Sequence, residues 1–235
     1  MTSNRTTLIV GGTRGLGHGI ARALRDEGDR VVTVARTAGP ATDVAADATD
    51  PAVADRLLDR YRPDVLVIAA GAVPPTGTLQ SFTWETFSTA WEQDVRIAFT
   101  WLGAVLRRPL APGATVVVLG SAASLFGSPL SGGYAGAKAA VRFITEYARG
   151  EADGTGVTFT AILPAIAPGT AVGQAAVHAY AGRRGITEAQ FAAELPAALS
   201  PEIAGTAIAK LLTGPADRIA AAYLLNGDGL EELSS

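Results

Sequence analysis

The sequence predicts an α/β fold, in which helices flank a doubly wound parallel sheet within a single domain. Short and almost continuously apolar runs alternate with longer helical patterns, and such runs are typical of strands buried on both faces. The regular alternation of strand and helix favours parallel strands joined by crossover helices. The length of 235 residues fits one unit, 1–235, since single α/β domains often reach about 250 residues.

Six strands and five helices are predicted along the chain. The strands cover 6–10, 30–35, 64–69, 115–119, 157–163 and about 219–225. The helices cover 16–27, 51–61, 83–108, 134–150 and 201–213. Asp50-Pro51 and Ser200-Pro201 each place a capping residue before a proline, which is a typical helix start. The Ala- and Gly-rich segment 165–198 interrupts the alternation, and we expect it to form a mobile lid over a substrate.

The composition argues against several classes of protein. Apolar residues make up 48% and charged residues 17%, which is unlike a disordered chain. With no cysteine and two histidines, we expect no disulfide, no Cys nucleophile and no metal site. A net charge of -3 does not favour nucleic acid as a partner. Apolar runs are too short for a signal peptide or a membrane span, so we expect a cytoplasmic protein without a membrane partner.

A glycine-rich loop joins the first predicted strand to the first helix. Its sequence is Gly11-Gly12-Thr13-Arg14-Gly15-Leu16-Gly17. Glycines let the backbone turn tightly and approach a pyrophosphate, to which the helix N-terminus presents unpaired N–H groups. The position of these glycines between a strand and a helix is stronger evidence for dinucleotide binding than their spacing alone. We expect dinucleotide binding here, with a ligand-free tight turn as the alternative, and the candidate residues are Gly11, Thr13, Arg14, Gly15, Leu16 and Gly17.

The end of the second strand indicates which dinucleotide binds. It reads Val34-Ala35-Arg36, without the acid that NAD sites carry there, whereas NADP sites place an arginine near the 2′-phosphate. Arg14 and Arg36 could both form charge-assisted hydrogen bonds with a 2′-phosphate, and we therefore expect NADP(H) as the cofactor. The alternative is that both are solvated surface arginines. Asp47-Ala48 follows a predicted short strand, which is additional to the six above and is the third along the chain, so that 64–69 becomes the fourth. Asp47 either binds the adenine amino group or serves only as a turn and capping residue.

A serine, a tyrosine and a lysine form a second candidate site. Ser121 ends a strand, and Tyr134 and Lys138 follow in Tyr134-Ala135-Gly136-Ala137-Lys138. Residues at i and i+4 share one helix face. A free phenol has a pKa of about 10, and a nearby ammonium lowers the pKa of a phenol by stabilising the phenolate. Ser121, at the carboxyl end of a strand, is placed to donate a hydrogen bond to a substrate carbonyl.

Together these motifs resemble the short-chain dehydrogenase/reductase family over nearly the whole chain. The resemblance rests on the glycine loop, Ser121 and Tyr134-xxx-Lys138, which occur in the family's order and spacing. It implies a Rossmann-like fold and hydride transfer between NADP(H) and a carbonyl or alcohol substrate. Tyr134 would be the general acid in reduction and the base in oxidation. Lys138 would hold the nicotinamide ribose and lower the tyrosine pKa, while Ser121 would orient the reacting oxygen.

The sequence departs from the family's pattern around the predicted nicotinamide site. The family's Asn-Asn-Ala-Gly after the fourth strand is Ile68-Ala69-Ala70-Gly71 here, so the backbone of Ala70 and Gly71 is expected to contact the cofactor. The asparagine of the family's catalytic tetrad falls on Asp94, or on Arg96 if the count shifts. Asp94 would hold a water next to Lys138 or pair with its ammonium, and the pairing would raise the apparent pKa for activity.

Two further departures lie elsewhere on the cofactor site. The family's Pro-Gly after the sixth strand is Pro164-Ala165, and we expect Pro164 and Ile166 to line the nicotinamide pocket. The spacing to Thr170 is one residue longer than usual, which leaves its contact with the cofactor open. Few residues separate Arg36 from Asp47, so the family's third helix barely fits.

The substrate side of the site and the oligomeric state are predicted from apolar side chains and from the family resemblance. Six apolar or aromatic residues suit a hydrophobic carbonyl compound, although each fits ordinary packing equally well: Val73, Leu125, Phe126, Val172, Tyr180 and Phe191. The resemblance implies a homodimer or homotetramer through long helices. Two other functions stay open on this fold, namely lyase or isomerase chemistry with the same tyrosine, and an NADP(H)-sensing regulatory protein.

Overall fold

The computed structural model describes residues 5–195 and 197–233. The strands are β1 Thr6–Val10, β2 Arg30–Ala35, β3 Val44–Ala45, β4 Val65–Ile68, β5 Thr115–Leu119, β6 Thr158–Pro164, β7 Ala222–Asn226 and β8 Gly229–Glu232. They form one sheet with the order β3-β2-β1-β4-β5-β6-β7-β8. Every pair from β3 to β7 is parallel, which confirms the predicted fold class. The edge strand β8, absent from the prediction, pairs antiparallel with β7.

Helices cover both faces of this sheet. They are α1 Gly15–Asp26, α2 Pro51–Tyr61, α3 Trp84–Phe87, α4 Arg96–Arg107, α5 Ala123–Phe126, α6 Tyr134–Glu151, α7 Ala171–Arg184, α8 Glu188–Ala193 and α9 Pro201–Thr213. Asp50 and Ser200 cap α2 and α9 through their side chains, as predicted, and a proline begins each helix. The short helices α3 and α5 were not predicted as separate elements.

Alternate residues of the strands point to opposite faces of the sheet and pack into two hydrophobic cores. Leu8 and Val10 face the core that contains α2, α4 and α6. Ile9 between them faces the second core, with α1 and α9. Burial on both faces explains why the strands read as continuous apolar runs rather than as alternating patterns.

The prediction of one continuous helix over 83–108 is wrong. The chain forms α3, then a π-helical turn over Trp91–Val95, then α4. Within this turn Asp94 is buried, whereas Glu92 is exposed. Single π turns inside helices are frequent at functional sites. The π turn brings Asp94 into contact with Ala72 and Lys138, which lie outside residues 83–108. The pattern of apolar residues within 83–108 does not show such contacts, and the turn was therefore not predicted.

The segment 165–198 is largely helical, because it contains α7 and α8. Thr170 caps α7 by accepting a hydrogen bond from the Gly173 N–H, and Thr187 forms a capping box at α8. Pro196 lies outside the described residues, and the mobility of this segment stays a prediction. Residues 36–43 contain no helix, as their short length predicts. Over the described part of the chain, no helix has the length and apolar character needed to cross a bilayer.

Candidate active site

One cavity of about 1340 Å³ opens at the carboxyl ends of the parallel strands. The strand order reverses between β1 and β4, and such switch points are the usual ligand sites of open α/β sheets. The cavity is lined by all the site residues expected from the sequence: Gly11, Thr13, Arg14, Gly15, Leu16, Gly17, Arg36, Asp47, Ala48, Ala70, Gly71, Asp94, Ser121, Tyr134, Lys138, Pro164 and Ile166.

At two glycines of the glycine-rich loop, the backbone lies too close to its neighbours to leave room for a side chain. Gly11 has a φ of +88°, and a Cβ there would lie 2.5 Å from the Ala70 N atom. A Cβ on Gly17 would lie 2.1 Å from the Gly11 O atom. Arg14 is the N-cap of α1, and its side chain makes no capping hydrogen bond. The first N–H groups of α1 therefore remain available, and such a helix start suits a phosphate.

Basic side chains line the end of the cavity near β2. Arg14 and Arg36 are both exposed there. Asp47 accepts hydrogen bonds from the Thr49 N–H at 2.9 Å and from the Thr49 hydroxyl at 2.8 Å. These two bonds lower the pKa of Asp47 most, Arg36 and Arg96 lower it further, and slight burial opposes them. Asp47 therefore stabilises the turn through Thr49 and also lines the cavity, while its contact with the adenine amino group stays a prediction.

Tyr134 begins α6, and Lys138 follows one turn later on the same face. The Lys138 Nζ atom lies 5.7 Å from the centroid of the Tyr134 ring. Ser121 is buried, and its Oγ atom accepts a hydrogen bond from the Ala123 N–H at 3.2 Å. Its hydroxyl proton has no acceptor among the described residues. Ser124, the other serine in this loop, instead donates to the Ser121 backbone O atom at 2.6 Å.

Asp94, rather than Arg96, occupies the position beside Lys138. Its Oδ2 atom lies 2.9 Å from the Lys138 Nζ atom, and its Oδ1 atom accepts a hydrogen bond from the Ala72 N–H at 2.8 Å. Lys138 also donates to the Leu119 O atom at 3.2 Å. Burial opposes the charge of Lys138, but the Asp94 carboxylate and Tyr134 outweigh it, so the pKa of Lys138 is raised. The ammonium therefore keeps its proton at neutral pH.

The substrate side combines apolar walls with hydroxyl groups. Four of the six expected wall residues line the cavity: Val73, Phe126, Val172 and Tyr180. The other two do not, because Leu125 packs against a small core and Phe191 stacks on Tyr180. The structure adds Ser128, whose Oγ atom lies 2.6 Å from the Tyr180 OH atom. Nothing in the loop sequence around Ser128 indicates this partner.

Comparison with known proteins places this architecture in a family. The family model described as short chain dehydrogenase matches residues 5–180. A sorbitol dehydrogenase from Cereibacter sphaeroides is 29% identical over 182 residues, which cover 70% of this chain and 71% of that protein.

Solved structures show the same fold at low sequence identity. Levodione reductase is 23% identical with a TM-score of 0.82, over 97% of this chain and 98% of that one. A short chain dehydrogenase from Burkholderia cenocepacia, solved in complex with NADP, is 21% identical with a TM-score of 0.79, over 95% and 96% of the two chains. Since the family model spans both the glycine loop and the Tyr134-Lys138 helix, this chain belongs to the short-chain dehydrogenase/reductase family of oxidoreductases.

Proposed function

We propose that this protein is an NADP(H)-dependent oxidoreductase that interconverts a carbonyl compound and an alcohol, with Tyr134 as the general acid and base. The observation that carries the proposal is the shared cavity. It brings Ser121, Tyr134 and Lys138 to the same space as the glycine loop. A carbonyl reductase of this family is the subtype that this arrangement favours.

The cavity suits a dinucleotide together with a substrate. Its volume of about 1340 Å³ exceeds the roughly 300–1000 Å³ of pockets for single drug-sized ligands. The start of α1 would hold the pyrophosphate, and Arg14 and Arg36 would pair with the 2′-phosphate that distinguishes NADP(H). Pro164 and Ile166 would line the nicotinamide end. The NADP complex of the Burkholderia protein supports this choice of cofactor.

Bound in this cavity, the nicotinamide would supply the hydride for reduction or accept it in oxidation. Tyr134 donates its phenolic proton to the carbonyl oxygen during reduction and takes it back during oxidation. The Lys138 ammonium stabilises the phenolate that remains. Because the Ser121 hydroxyl proton is uncommitted, Ser121 is free to donate to the same oxygen and to stabilise charge that develops there.

The test is to incubate the protein with NADPH and a panel of ketones and to follow the loss of reduced nicotinamide absorbance. We expect turnover, and we expect Tyr134→Phe to lose about a hundredfold or more in kcat while binding NADPH normally. Tight NADPH binding without turnover on any ketone of the panel would instead support the regulatory alternative. Product formation without a change in nicotinamide absorbance would support lyase or isomerase chemistry.

We also propose that the protein forms a homodimer or homotetramer through α4 and α6. Phe143 and Tyr147 are 51% and 62% exposed on one face of α6, and Phe99 is 70% exposed on α4. Large exposed aromatic side chains on neighbouring helices are typical of subunit contacts. Light scattering should show an oligomer for the parent protein and a smaller assembly for Phe143→Glu, which is a monomer if the parent is a dimer. The cytoplasmic location stays a prediction.

A further inference from the structure

We infer that Tyr180 and Ser128 close the outer end of the substrate side of the cavity, so that the enzyme selects compact carbonyl compounds. This inference rests on the proposed function, because it concerns the substrate of the same site. It assigns a specificity-determining role to two residues that take no part in the chemical step.

The closing contact crosses the cleft between two separate parts of the chain. Tyr180 lies on α7, and Ser128 lies in the loop between α5 and α6. The Ser128 Oγ atom and the Tyr180 OH atom are 2.6 Å apart, and both residues line the cavity. A substrate that extends past this point must break the hydrogen bond and displace an aromatic ring.

The face of α7 that lines the cavity carries small residues before it reaches this ring. Val172, Ala176 and Tyr180 occur every four residues and all line the cavity. Since a helix rises by 1.5 Å per residue, Tyr180 lies about 12 Å along α7 from Val172. The small side chains leave space near the β6 end of α7, and the tyrosine closes it further out.

Tyr180 is held in place from behind, so it forms a wall rather than a loose side chain. Its ring stacks on Phe191 of α8, with centroids 6.1 Å apart and an interplanar angle of 12°. Arg184 lies over the same Phe191 ring at 5.8 Å and pairs with Glu194 at 2.5 Å. The hairpin of α7 and α8 therefore supports the ring on the side away from the cavity.

The distribution of charge argues against an anionic substrate. Among the described residues, the cations that line the cavity are Arg14, Arg36, Arg96 and Lys138. Arg14 and Arg36 belong to the proposed phosphate site, and Arg96 contributes with Arg36 to lowering the pKa of Asp47. Lys138 is already paired with Asp94. The walls around Tyr180 and Ser128 offer hydroxyl groups, which suit an uncharged substrate better than a carboxylate or phosphate.

The test compares methyl ethyl ketone with methyl nonyl ketone in the parent and in five variants. The ratio of their kcat/KM values with NADPH reports selectivity during turnover. The ratio of their dissociation constants with saturating NADP⁺, measured by calorimetry, reports the same selectivity without turnover. The variants are Tyr180→Ala, Tyr180→Phe, Ser128→Ala, the double variant Tyr180→Phe/Ser128→Ala and the control Gln174→Ala. Gln174 lies on the exposed face of α7.

We expect the parent to favour the short ketone and Tyr180→Ala to shift both ratios toward the long ketone by about tenfold or more. Tyr180→Phe and Ser128→Ala should each give a smaller shift of about threefold, because each removes only the hydrogen bond. Their combination should add nothing further, since both changes remove the same bond. Gln174→Ala should leave both ratios unchanged.

Two outcomes overturn the inference: equal ratios in the parent and Tyr180→Ala, or no binding of either ketone. Affinity for NADP⁺ and circular dichroism check that each variant is folded. If Tyr180→Ala does not fold, the shift in Tyr180→Phe decides the test. A shift in the calorimetric ratio without turnover on any ketone would contradict the proposed reductase activity while supporting the boundary at Tyr180.

Discussion

The Oδ2 atom of Asp94 and the Nζ atom of Lys138 lie 2.9 Å apart, in an ion pair whose side chains are only 1% and 7% exposed. The other carboxylate oxygen of Asp94 accepts a hydrogen bond from the backbone of Ala72. One side chain therefore joins the loop after β4 to the helix that carries Tyr134. The family resemblance implies an asparagine here, which would make polar contacts without a charge.

Asp94→Asn should move the pH profile of alcohol oxidation to lower pH by about one unit. The Asp94 carboxylate raises the pKa of Lys138 and offsets part of the attraction between the ammonium and a phenolate. Without that carboxylate, the Lys138 ammonium attracts a phenolate more strongly, so the form that is active in oxidation is reached at lower pH. The measurement is kcat/KM for oxidation against pH, with the exposed Asp153→Asn as control. A profile identical to the parent's would show that the charge of Asp94 does not reach the reacting groups.

Asp94→Ala should lower the free energy of unfolding by about 3–5 kcal/mol at neutral pH, because it leaves a buried ammonium without its partner. Lys138 has a raised pKa in the folded protein. Its contribution is therefore complete below the unfolded-state pKa of about 10.4 and is lost as the pH rises through the higher folded-state value. Urea denaturation at neutral and strongly alkaline pH should show the difference between parent and variant shrinking at high pH.

The double variant Asp94→Leu/Lys138→Met serves as the control for this stability measurement. It removes both charges and keeps apolar volume, so it should be more stable than Asp94→Ala. If Asp94→Ala were as stable as the parent across the whole pH range, the ion pair would contribute nothing to folding.

The sequence was sufficient to predict those features that depend on local chemistry. The strands beside the site were found because they are buried on both faces, and the starts of α2 and α9 because Asp50 and Ser200 precede prolines. The candidate residues of the cavity follow in the same way from strand ends and from the i, i+4 spacing of Tyr134 and Lys138.

Features created by contacts between distant parts of the chain were not predictable in the same way. The π turn around Asp94 depends on partners at Ala72 and Lys138, and helical periodicity carries no trace of them. The contact between Ser128 and Tyr180 joins residues that are far apart in sequence, and no motif marks it. Both features concern how the site is positioned and bounded rather than which groups it contains.

Gly19→Ala should destabilise the protein by about 1–3 kcal/mol through overpacking. A Cβ on Gly19 would lie 1.9 Å from the Pro201 O atom, and one on Gly205 would lie 2.3 Å from the Gly19 O atom. The backbones of α1 and α9 therefore cross in direct contact. The matched control is Gly182→Ala on α7, where a Cβ would meet nothing within 4 Å, and which should stabilise by about 0.5–1 kcal/mol. Equal effects in urea denaturation would mean that the helix crossing relaxes without cost.

Arg36→Ala should reduce the preference for NADPH over NADH by about tenfold or more, because a charge-assisted hydrogen bond to phosphate contributes about 1.5–3 kcal/mol. Arg36 is exposed and lines the cavity beside β2, so its replacement should leave the fold intact. The effect should fall on NADPH alone and weaken with added salt, since NADH has no 2′-phosphate and exposed charges are screened. Dissociation constants for both cofactors, measured by nicotinamide fluorescence, distinguish pairing with the 2′-phosphate from a contact that both cofactors share. The matched control is Arg60→Ala on α2, outside the cavity. An equal loss of affinity for both cofactors in Arg36→Ala would contradict the assignment of Arg36 to the 2′-phosphate.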